Sequence, residues 1–149
     1  MGMYAALGIS ATGLTAERLR MDVIADNLAN ADSTTGVGAA YRRKAVTMAP
    51  AAAGATFRLP DGVAAGGGGG AAAGTGVAVT GIVEDGAPLR RVYEPGHPLA
   101  DPQGYVTKPN VDAVTEMVDM VAATRAFEAN VTAFEASKSM ARDSLRLIQ

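Results

Sequence analysis

Apolar residues recur every seven positions at both ends of this chain, and the pattern is absent from the middle. At the N-terminal end Leu7, Leu14, Met21 and Leu28 form one row, with Ala11, Ile24 and Ala25 in the intervening turns. The row predicts a helix over about Met3 to Asn30 with a narrow, coiled-coil-like seam. At 1.5 Å per residue such a helix runs roughly 40 Å. Gly13 inside it costs about 1 kcal/mol against Ala, and marks close approach by another backbone. At the other end Met120, Phe127, Phe134, Ala141 and Ile148 form a row. Met117, Thr124, Val131, Lys138 and Leu145 form a second, broken only at Thr124 and Lys138. Asp112 and Glu116 in the first turns, with Arg142 and Arg146 in the last, suit the helix dipole. Pro109 and Asn110 mark the start, and no Gly or Pro follows, so a helix over Asn110 to Gln149 spans roughly 60 Å.

The pattern between the helices is of strands and turns. Tyr41 to Met48 (YRRKAVTM) predicts a strand, and a Gly/Ala-rich loop over 49–76 follows. Gly76 to Asp85 puts Val77, Val79 and Val83 on one face, with Gly81 as a gap. Leu89 to Tyr93 (LRRVY) is a further short strand, and the turn-rich EPGHPLADPQG precedes YVTK. The fold class is therefore α+β: two long terminal helices, paired antiparallel in a coiled-coil-like domain, around a small β-rich insert. The expected divisions are 1–36 and 110–149 for the helices and 37–109 for the insert.

If the insert is compact, the helices pack antiparallel and facing residue numbers sum to roughly 142. Asn27 then faces the neighbourhood of Thr115, and Asn130 that of Thr12. Two helices alone leave Tyr4, Ile9, Val118 and Val121 without partners. Those faces call for helices from other subunits.

Composition removes most chemistry. The chain has no Cys and one His, which excludes disulfides, thiolate sites, Cys nucleophiles and His-rich metal centres. Thirteen basic against fifteen acidic residues, a net charge of −2, argue against a nucleic-acid binder. MGMYAALGIS lacks the basic and apolar regions of a cleaved secretory signal, and Ala6 stands where myristoylation needs Ser or Thr. The run Val63 to Val79 is too rich in Gly to span a membrane. His97, with Glu94 and Asp101 nearby, has no accompanying nucleophile, and its Pro and Gly neighbours read as a shaped turn. Gly66 to Gly70 has no following Lys, so it is not a phosphate loop. Arg42, Arg43 and Lys44, the only basic run of three, read as a solvated strand face, with contact to nucleic acid or an acidic partner as the alternative. No catalytic, cofactor or metal residue is expected.

The stretch VIADNLANADSTTG, Val23 to Gly36, ends a helix with two amides. Asn30 is expected to cap the helix in the left-handed conformation that Asn tolerates, with Asp32 to Gly36 as the turn. Asn27 lies one turn earlier, where capping explains less. A buried Asn in an apolar seam fixes register at a cost in stability, so Asn27 and Asn130 are expected to tie helix register at a subunit contact.

Ser10 to Gly36 resembles the N-terminal signature of flagellar basal-body rod proteins, centred on Ala25, Asn27, Leu28, Ala29 and Asn30. Val79 to Met140 is similar to the proximal-rod members, above all in PGHP, GYVTKPNVD and TRAFEANV. Residues 49–76 depart from the pattern. The resemblance implies a non-enzymatic subunit without cofactor, exported unfolded by the flagellar type III apparatus. It implies assembly into a hollow, torque-transmitting rod in the periplasm, with terminal helices forming the tube and the insert outside. Implied partners are other proximal and distal rod proteins, the rod–export-gate adaptor, the inner-membrane ring and the export gate. Expected interface residues are Leu7, Leu14, Met21, Asn27, Leu28, Asn30, Met117, Met120, Phe127, Asn130, Val131, Phe134, Leu145 and Ile148. A more distal rod or hook-base component, usually longer, is an alternative. A soluble coiled-coil adaptor is another, and a hydrolase using His97 a third. Lack of Cys suits a threaded chain that works in an oxidising compartment. Terminal seams unable to satisfy themselves order on assembly.

Overall fold

The computed structural model describes residues 3–34, 40–51 and 76–146. Ile148, Gly36, residues 52–75 of the Gly/Ala-rich loop, and the side chains of Tyr4 and Leu145 lie outside that description. Helix α1 (Met3–Ala29) opens the chain and helix α2 (Ala113–Arg146) closes it. Between them come β1 (Lys44–Pro50), β2 (Val77–Glu84), β3 (Arg90–Tyr93) and β4 (Tyr105–Lys108), in the pairs β1–β2 and β3–β4. The α+β class and the order of elements match the sequence pattern.

Several element boundaries move, and at the helix ends a side chain engages the backbone. The second helix begins at Ala113 instead of Asn110, because Asp112 is its cap: Asp112 Oδ1 accepts from Val114 N at 3.2 Å, and Oδ2 from Thr115 Oγ1 at 2.8 Å. Asn110 is occupied elsewhere, with Oδ1 accepting from Arg43 N at 2.8 Å. The first strand begins at Lys44 instead of Tyr41, and Arg43 N goes to that amide. It continues to Pro50, which needs no ladder donor. The first helix ends at Ala29, and Asn30 caps it by another route than the expected one. No non-glycine residue described has positive φ; Asn30 instead donates its side-chain Nδ2 to Asp26 O at 2.8 Å.

The contacts of the chain group into two units, each taking a stretch of both helices. One comprises, among the described residues, 3–18, 48–51, 76–80 and 125–146. Small residues set its helix approach. Ala16 is buried, and a Cβ on Gly13 would stand 3.1 Å from Asn130 Nδ2. The close approach at Gly13 is made by the Asn130 side chain and not by the backbone that was expected. Gly76, at φ 87°, leads into β2 where an added Cβ would collide with Thr12 Oγ1, which accepts from Val77 N at 3.2 Å. Only glycine fits both the backbone and the space.

The other unit holds 19–34, 40–47 and 81–124. Its buried residues include Val23, Ile24, Asn27, Ala40, Val106, Val111, Glu116 and Ala123. The β3–β4 hairpin is antiparallel, with Val92 opposite Val106 and Tyr93 opposite Tyr105. The two Tyr rings meet edge to face with centroids 5.3 Å apart. Lys108 Nζ bonds Glu94 Oε1 at 2.8 Å beside them. Helix contacts here step in opposite directions along the two elements. Met21 Sδ lies 3.7 Å from Thr124 Oγ1, and Asn27 Nδ2 3.0 Å from Glu116 Oε2.

Candidate assembly site

Asn27 and Glu116 are fully buried, and both donors and the oxygen of the Asn27 amide are engaged inside the chain. Nδ2 donates to Lys44 O at 2.8 Å and to Glu116 Oε2 at 3.0 Å. Oδ1 accepts from Lys44 N at 2.9 Å, and the Tyr41 hydroxyl lies 2.9 Å from the same oxygen. Both donors of the amide are used, and its oxygen shares the single Tyr41 proton with Asp26 Oδ2, 3.0 Å from the hydroxyl. Towards Lys44 it behaves as a neighbouring strand would, pairing with both N–H and C=O.

Glu116 is held from the other side by Arg43, whose Nε lies 2.5 Å from Oε1. Arg43 Nη2 reaches Asp119 Oδ2 at 3.2 Å. The hydrogen bond to Glu116 raises the Arg43 pKa above its ordinary value, against the lowering effect of burial. At the rim Lys44 Nζ lies 3.0 Å from Asp26 Oδ2, and this bond holds the Asp26 carboxyl below the usual range. Burial, then the bond to Asp26, pushes the Tyr41 phenol up to about 12. Lys44 also stands 5.0 Å above the Tyr41 ring centroid.

The solvated-face reading of residues 42–44 is therefore corrected. Arg42 Nη1 donates to Asp85 O and Ala87 O, Arg43 to Glu116 and Asp119, and Lys44 to Asp26. The run is an internal fastening: three cations beside one helix end and one helix start.

The expected interface residues separate by burial. Leu7, Leu14, Met21, Leu28, Asn30, Met120, Phe127, Asn130, Val131 and Phe134 are half-buried, and Met117 is exposed. The buried positions of α2 form a different row, Glu116, Ala123 and Ser137, with Asn130 at the intermediate seventh position. That row was missed because it is small and polar, although its spacing is also seven. On the far side of α2, Val114, Met117, Val118 and Val121 lie at i, i+3, i+4 and i+7 and are 52–70 % exposed. Such a stripe is what a helix ordinarily buries. Among the described residues nothing covers it.

His97 shapes its turn: its N donates to Glu94 O at 3.1 Å, and its Nδ1 accepts from Leu99 N at 3.1 Å. Among the described residues no three His, Asp or Glu side chains gather as metal ligands, and no helix is long and apolar enough to cross a membrane.

Two family models match the chain. "Flagella basal body rod protein" covers residues 7–36, and "Flagellar basal body rod FlgEFG protein C-terminal" covers residues 103–147. Flagellar basal-body rod protein FlgC of Borreliella burgdorferi is 42 % identical over 157 residues, covering 100 % of this chain and 99 % of the relative. FlgC of Bacillus subtilis is 43 % identical over 152 residues, with 99 % of each covered. FlgC of Escherichia coli O157:H7 is 43 % identical over 150 residues, with 100 % of each covered. Similarity at this level, from one end to the other and through the Asn27 and Glu116 segments alike, means that the chain belongs to the FlgC family of flagellar basal-body rod proteins.

Proposed function

We propose that this chain is a structural subunit of the bacterial flagellar proximal rod. The full-length likeness to FlgC proteins carries the reading. The unpartnered stripe Val114–Met117–Val118–Val121 supports it, because a structural subunit must keep an apolar face for its neighbours. In this reading the helical segments 1–36 and 110–149 pair antiparallel, in coiled-coil fashion, and build the wall of a hollow tube. The insert 37–109 packs outside. Contacts of Met21 with Thr124 and of Asn27 with Glu116 support the antiparallel sense. The chain is exported by the flagellar type III apparatus and joins other rod proteins beneath the hook, near the adaptor, the inner-membrane ring and the export gate. It works as part of a torque-transmitting shaft, with no catalytic role.

The half-buried rows, Met21, Met120, Phe127 and Phe134 among them, complete their burial against neighbours. Asn27, saturated within its own chain, sets register between its own helices and β1. Subunit contact then falls to the exposed faces around it.

The test is to isolate basal bodies from the source cells and locate the chain by mass spectrometry and antibody labelling. The expected position is the rod, at its inner-membrane-proximal end. Finding the chain only as a soluble oligomer, with basal bodies lacking it, would overturn the reading.

A further inference from the structure

We infer that the exposed stripe of α2 is occupied by the outer face of α1 from a second copy of this chain. The inference rests on the rod reading and deepens it, by naming the partner and the two faces. Each helix buries one side within its own chain: Ala16, Val23 and Asn27 on α1, and Glu116, Ala123 and Ser137 on α2. Opposite these lie Arg18, Asp22, Ala25 and Ala29 on α1, all exposed, at i, i+4, i+7 and i+11. On α2 the stripe continues from Val118 and Val121 to Arg125 and Glu128, also exposed.

The two faces are complementary in one antiparallel register. Val118 stands opposite Ala29, Val121 opposite Ala25, Arg125 opposite Asp22, and Glu128 opposite Arg18. The spacings of 4, 3 and 4 residues on α1 meet 3, 4 and 3 on α2, so all pairs stay aligned to within about 1.5 Å. Branched side chains meet alanines, which allows the backbones to come close. Both charge pairs are opposite in sign, and shifting the register by one turn loses them. Arg18, Asp22, Arg125 and Glu128 make no ion pair among the described residues. A partner's charges can therefore take them up.

The sense is also consistent. α1 and α2 of one chain run oppositely where Met21 meets Thr124 and Asn27 meets Glu116. In an assembly whose copies all point one way, α2 of one copy meets α1 of the next antiparallel. The two faces differ, so the contact is head-to-tail. Such contacts propagate as rings or helices instead of closing as a dimer.

Cysteine cross-linking decides this, because the chain has no Cys of its own. Ala25→Cys carrying one epitope tag and Val121→Cys carrying another are co-expressed, and basal bodies are isolated and oxidised. The expected product is a doubly tagged band at twice the subunit mass. Ala29→Cys with Val118→Cys gives the same product and guards against a poorly tolerated site. Pairing Ala16→Cys with Val121→Cys gives none, since Ala16 faces inward. Basal bodies that contain both variants of each pair but yield no doubly tagged band overturn the inference and leave the rod reading standing. Cross-links from the Val121→Cys variant only to a different rod protein overturn it too. Absence of the wild-type chain from basal bodies is a separate result, and defeats the rod reading itself.

Discussion

Asn27 is best understood as a short piece of strand attached to a helix. Its amide matches both backbone groups of Lys44 and donates its remaining N–H to Glu116, so three segments share one side chain. Removing either member strands the other. Asn27→Ala leaves Lys44 N without its acceptor and Glu116 short of a donor, at a cost of about 1–3 kcal/mol for each buried group. Glu116→Ala leaves Arg43 Nε and one Asn27 proton unpaired, and is expected to cost a similar amount. Asp119→Ala removes only the outer arm of Arg43, with a carboxyl about one-third exposed, and is expected to cost about 0–1 kcal/mol. Urea unfolding of the purified full chain orders the three variants, and an Asp119 effect equal to that of Glu116 would contradict this account. Tyr41 gives the same network a pH signature. Its phenol is pushed up from 10.0 to about 12, so the fold favours the protonated form. That contribution is whole below pH 10, and is lost as the pH rises through the folded value. Ultraviolet titration of wild type minus Tyr41→Phe should show one phenol ionising near 12. A difference spectrum centred near 10 would mean that the hydroxyl is free.

At the scale of elements, α2 has an inward face that differs from its most apolar one. α2 turns Glu116, Ala123 and Ser137 inward and leaves Val114, Met117, Val118 and Val121 outside. Val118→Asp with Val121→Asp should therefore leave the thermal unfolding of the free chain within about 0.5 kcal/mol of wild type, as surface changes do. The same change should abolish incorporation into basal bodies, read by immunoblot of the isolated structures. A matching loss of stability would assign the stripe to the chain's own core. This division explains how much was legible in the sequence. The seven-residue rows located both helices, and the alternation of Val77, Val79 and Val83 located β2, because periodicity reports local geometry. That Val118 and Val121 find no cover among the described residues of the chain was legible too. Which row turns inward was not, because small residues permit the closest approach and Leu, Met and Phe draw the eye. Nor was the fastening by Arg42, Arg43 and Lys44 apparent. It depends on carboxyls and carbonyls up to 76 positions away, which spacing does not report.

For the whole molecule, the consequence of a head-to-tail contact is polarity in how variants fail. A chain whose α2 stripe is spoiled still presents a sound α1 face. It can seat against the stripe of a wild-type neighbour, and then offers the next copy nothing to bind. Val121→Asp, co-expressed with wild type, should therefore reduce motility out of proportion to its share of the pool. Adding Ala25→Asp to the same chain spoils both faces. The double variant can no longer seat, so motility in the mixed cells should return towards the wild-type level, although the chain itself carries more damage. An isologous contact predicts no such recovery. Swimming speed and basal-body counts, measured at matched expression, separate the two cases. A double variant at least as inhibitory as the single one would show that seating does not use the α1 face.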